Sequence, residues 1–108
     1  SVSGSISGKQ CNGETHILID QRKAPIENVA ANLNNSSSVC PVTFTFFRKN
    51  ESKIEKTLLP DSGLGILIPG RVELVTVTCA IGSDGNSCSA SVDLSFTECV
   101  CCNDDSTC

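Results

Sequence analysis

Tryptophan, tyrosine and methionine are absent from this chain of 108 residues, and phenylalanine occurs four times. A core built from it must be aliphatic, from Val, Ile and Leu, with Phe44, Phe46 and Phe47 as its one aromatic cluster. No run of about 18 apolar residues occurs, so no segment reads as a membrane span. The eight basic residues are scattered and outnumbered by twelve acidic ones, for a net charge of −4. That excludes the basic stripe a nucleic-acid backbone requires and the polybasic cluster an anionic lipid surface requires. The single histidine, His16, has no partner legible beside it and reads as a solvent-facing strand residue. No Gly-x-Ser-x-Gly elbow, phosphate loop or paired-carboxylate motif is present. The chain therefore reads as a non-enzyme with no cofactor and no metal.

Cysteine is what the chain has in quantity: eight residues, an even number. Such density suits an oxidising compartment or an extracellular surface. Full pairing would allow about a hundred connectivities, so spacing alone selects none. Cys99, Cys101, Cys102 and Cys108 crowd the last ten residues. A vicinal bond between Cys101 and Cys102 would strain the peptide between them, so they should seek separate partners. An extended arm of ten residues reaches about 30 Å, far enough to touch a second subunit, or to be stapled within the chain to Cys11 or Cys40. Cys11 is the other candidate for a bond between subunits. Cys40, Cys79 and Cys88 are candidate staples within the domain, or acceptors for a neighbour's arm. Cys79 and Cys88 bracket the loop Ala80 to Ser87, which reads as a hairpin loop; its two cysteines either staple that hairpin or receive an outside sulfur. The spacing Cys-x-Cys-Cys-x5-Cys also supplies four thiolates, as tetrahedral zinc needs, but lacks the paired C-x2-C of zinc knuckles.

The rest of the chain alternates short apolar runs with turn residues. Strands are expected over Thr15 to Asp20, Val42 to Phe47, Ile54 to Leu59, Leu64 to Ile68, Val72 to Ile81 and Ala90 to Thr97. Ile26 to Leu33 fits a helical stripe, yet is short for a helix and reads as strand in this company. Asn12-Gly13, Pro60-Asp61-Ser62-Gly63 and Pro69-Gly70 are turn signals. Seven or eight strands at this spacing indicate an all-β fold, a single antiparallel sandwich or barrel. The expected organisation is a flexible N-terminal arm over 1–10, of which Ser1 to Gly8 also reads as a weak edge strand, a β domain over 11–98 and a cysteine-rich tail over 99–108. Asn34, Asn35 and Asn50 head glycosylation sequons, which matter only in a host that glycosylates secreted chains.

Three stretches carry a family likeness: Pro41-Val42-Thr43-Phe44-Thr45-Phe46-Phe47; Asp61-Ser62-Gly63 leading to Val72-Glu73-Leu74-Val75-Thr76-Val77; and Cys88 before Ala90 to Phe96. In that order they resemble the endospore appendage (Ena-type) fibre subunits of spore-forming bacteria. The resemblance implies jelly-roll subunits that stack into a long fibre on the cell or spore surface, each disulfide-bonded to copies further along by a flexible arm. The partner implied is the chain itself. In that family the cysteine-bearing connector is N-terminal, whereas here the cysteines crowd the C-terminus. The competing readings are a secreted, monomeric, disulfide-stapled β domain that binds a ligand, and a cysteine-rich metal-binding protein.

Overall fold

The computed structural model describes residues 2–37, 39–81 and 87–96. Among these residues seven strands, all antiparallel to their partners, form one hydrogen-bonded sheet. They are β1 (Val2–Lys9), β2 (Thr15–Asp20), β3 (Ile26–Asn35), β4 (Val42–Arg48), β5 (Glu51–Leu58), β6 (Ser62–Cys79) and β7 (Cys88–Ser95).

The organising element is β6, 18 residues long. Sequence periodicity predicts two strands here, divided at Pro69-Gly70. The structure joins them into one strand that bends at that point. Proline is tolerated because the ladder with β3 skips there: Val29 faces Ile68 and Glu27 faces Arg71, a bulge where a missing N–H costs no ladder bond. Gly70 (φ 86°) and Asn28 (φ 54°) supply the left-handed backbone on the two sides of the skip.

Each arm of β6 belongs to a different group of strands. The first arm pairs with β3, which pairs with β7, which pairs with β1. The second arm pairs with β2 on one edge and with β4 on the other, and β4 pairs with β5. The two ends of β6 lie close together. Ser62 faces Asn35, whose amide donates to the carbonyls of Leu58 and Leu59. Leu58 faces Val42, which faces Cys79. The two ends of β6 therefore come near each other, and both groups of strands contribute side chains to one buried cluster.

Side-chain alternation explains which faces turn inward. On β7, Cys88, Ala90, Val92 and Leu94 are buried while Ser89, Ser91, Asp93 and Ser95 are not. On β4, Val42, Phe44 and Phe46 are fully buried; Phe47, expected in the core, faces the other way and is half-buried. Val29, Ala31, Leu33, Ile68, Val72, Val75 and Val77 complete the layer.

Three expectations need correction. Of the two readings of the first residues, flexible arm or weak edge strand, the structure takes the second: residues 2–9 are an edge strand paired with β7. Gly4 makes this possible: a Cβ there would run into the backbone carbonyl of Leu18 on β2. Cys79 and Cys88 do not bracket a hairpin, because β6 pairs with β2, β3 and β4 while β7 pairs with β1 and β3; the connection crosses from one strand group to the other. His16 is half-buried opposite the fully buried Val77, on the core side, because the β2 register shifts between Ile17 and Ile19. That shift leaves Ile17 exposed and buries Ile19, although alternation alone would put them on one face.

Candidate functional site

Four cysteines meet at the end of the molecule where β6 begins and ends. Cys11 lies in the β1–β2 connection, Cys40 in the β3–β4 connection, Cys79 closes β6 and Cys88 opens β7. The structure bonds Cys11 to Cys40 and Cys79 to Cys88, each pair with a Cα separation of 6.2 Å, within the span a disulfide bridges without moving backbone. All four are buried, Cys11 at 3% exposure and the others at 0%.

This revises the expectation for Cys11. Its sulfur is bonded inside its own chain, to Cys40, rather than offered to a second subunit. Sequence could not select that pair, since 29 residues separate the two and only the folded loops bring them together. The Cys79–Cys88 bond joins the end of β6 to the start of β7, two strands that do not pair, instead of stapling two neighbouring strands.

The surrounding backbone is tightly held. The Gly13 N–H donates to the Cys79 carbonyl at 2.7 Å, and the Cys79 N–H donates to Glu14 at 3.2 Å. The Ala80 N–H donates to Pro41 at 3.0 Å. Asn35, fully buried, donates from Nδ2 to the carbonyls of Cys40 (3.0 Å), Leu58 (3.1 Å) and Leu59 (3.2 Å), and its Oδ1 accepts the Ser37 N–H at 2.9 Å. No single-residue signal announces this role; in sequence Asn35 reads as a loop residue or a sequon. Its burial leaves no room for a glycan. Ser37 Oγ completes the clamp by donating to the Ser89 carbonyl and accepting the Ser89 N–H.

Thiol–disulfide exchange needs a thiolate to reach a bridge sulfur, so burial of both bridges shields them from outside thiols. Cys99, Cys101, Cys102 and Cys108 lie outside the described residues. The strand leading to them, β7, runs from the disulfide end at Cys88 to Ser95, which faces Ala30, itself facing Leu67 near the bend of β6. The chain thus leaves the sheet at the end opposite the two bridges.

The sheet has open edges as well. Among the described residues, no strand pairs with the edge of the first arm of β6 opposite β3. That arm reads Leu64-Gly65-Ile66-Leu67-Ile68, with Leu67 at 79% exposure and no charge along it. The outer edge of β5 carries Glu51, Lys53, Glu55 and Lys56, the kind of charges that keep an edge from pairing with strangers.

No protein-family model and no curated protein matches the sequence. Among solved structures the fold is similar to PirA, with a TM-score of 0.54 at 8% identity over 88% of this chain and 94% of that one. It is also similar to a structure from Bacillus endospore appendages, described as a novel family of disulfide-linked pili, with a TM-score of 0.53 at 11% identity over 89% of this chain and 85% of that one.

Proposed function

We propose that the chain is a non-catalytic structural subunit, a jelly-roll sandwich that assembles with copies of itself into an extracellular or spore-surface fibre. Disulfides between subunits, carried by Cys99, Cys101, Cys102 and Cys108, lock the assembly. The observation that carries this reading is the closure of all four body cysteines in buried bonds within the chain, which leaves covalent linkage to the tail. The two four-stranded groups sharing β6 fit the jelly-roll reading. The likeness to a disulfide-linked pilus structure supports the assembly. The uncharged first arm of β6 is the edge on which a neighbouring strand would add. A contact between two different edges is heterologous and propagates as an open filament.

Boiling the full chain in detergent without reductant, then electrophoresis, tests the proposal. A ladder that collapses on reduction is expected, and replacing the four tail cysteines with serine should abolish it. A single band at 11.3 kDa from the unaltered chain would overturn the proposal. It would favour a secreted monomer, a reading that the two internal bridges serve equally well.

A further inference from the structure

Asn12-Gly13 is the chain's single Asn-Gly pair. This dipeptide is the most prone to deamidation, because glycine leaves its own N–H unhindered. In that reaction the Gly nitrogen, losing its proton, attacks the Asn side-chain carbonyl carbon. A C–N bond forms, the C–NH2 bond breaks and ammonia leaves. Water then opens the succinimide to aspartate or isoaspartate. The step requires a free nitrogen aligned on that carbon. Both residues are exposed, so water reaches them freely.

The structure withholds the nucleophile. The Gly13 N–H is committed to the Cys79 carbonyl at 2.7 Å. The electrophile is held too: Asn12 Oδ1 accepts the Glu14 N–H at 3.0 Å. The Cys79 N–H returns a bond to the Glu14 carbonyl, so the turn is pinned to β6 on both sides. It also sits between the two bridges, since Cys11 precedes it and Cys79 receives it.

We propose that Asn12 is a latent modification site, protected in the oxidised fold by the Gly13–Cys79 hydrogen bond and released when the disulfide end opens. Conversion to isoaspartate would insert a methylene into the backbone and add a negative charge next to Cys11. A chain damaged in this way would rebuild the Cys11–Cys40 bond poorly. Asn12 would therefore record whether a subunit had been opened and reduced.

The test incubates the oxidised full chain and the same chain reduced in denaturant, side by side at mildly alkaline pH. Peptide mass mapping follows Asn12, with Asn50-Glu51 in its exposed turn as internal reference. Reaction through local opening is slowed by the cost of that opening, so Asn12 should react about tenfold or more slowly in the folded chain. Asn50 should change far less between the two states. A folded chain that loses the Asn12 amide as fast as the denatured one would overturn the proposal. So would equal protection of Asn12 and Asn50, which would make the effect one of folding in general. A Cys79→Ser/Cys88→Ser variant, shown to be folded by circular dichroism, should deamidate at Asn12 faster than the oxidised parent; an unchanged rate would count against protection by the closed disulfide end.

Discussion

Asn35 shows how much one buried polar side chain can hold. Its amide serves carbonyls from the β3–β4 connection and from the end of β5, so it joins segments that no strand pairing links there. Removing one partner of buried hydrogen bonds leaves the others desolvated and unmet. Asn35→Ala should therefore cost about 2–4 kcal/mol, read from urea unfolding. The pair Asp20–Arg22 is the opposite case. The Arg22 guanidinium, bonded to both carboxylate oxygens at 2.9 and 2.6 Å, holds the Asp20 carboxyl below its ordinary value of 3.8. A depressed folded value means that the stabilisation is present above the unfolded value and is lost as pH falls through the folded one. Asp20→Asn should leave stability near neutral pH little changed and make the loss of stability below pH 3.8 slightly shallower, since an exposed pair contributes little.

Among the elements, the bend of β6 depends on contacts from elsewhere. Arg48 donates to Ser52 (2.9 Å), to Glu51 (3.1 Å) and to the Pro69 carbonyl (2.9 Å), pinning the β4–β5 hairpin onto the bend. Gly70 sits beneath that hairpin, where a Cβ would meet the Glu51 carboxylate. Gly70→Ala adds left-handed strain to this contact and should cost about 1–3 kcal/mol by denaturant unfolding. The bend also shows why the periodic signal misled. Pro69-Gly70 is a sound turn signal, but the strand passes through it because a bulge at Asn28 absorbs the missing N–H. Most other strands were legible: Thr15–Asp20 coincides with β2, and the alternation predicted for β7 is the one observed. Residues 2–9 were ambiguous because Ser and Gly carry little apolar signal. Their pairing rests on the approach of Gly4 to Leu18.

For the whole molecule, the two bridges differ in the chain length they close, with sequence separations of 29 and 9 residues. Restriction of the unfolded chain predicts about 3.6 kcal/mol from the first and about 2.6 kcal/mol from the second. Cys11→Ser/Cys40→Ser should thus lower stability by about 1 kcal/mol more than Cys79→Ser/Cys88→Ser, measured by calorimetry on tail-less chains. Assembly gives a further prediction. Leu67 is exposed on the unpaired arm of β6, so Leu67→Lys should alter subunit stability by no more than about 0.5 kcal/mol. It should shorten or abolish filaments in electron micrographs if that edge joins subunits, because a charge on an edge strand opposes pairing.

An all-β chain and most of its core follow from the sequence, because alternation and turn chemistry report local preferences and solvent exposure. Which sulfur meets which, and that β6 is one strand serving two groups, required the folded structure. Those outcomes depend on closing loops between residues far apart in the chain, and the free energy of closing them is not written in any short window.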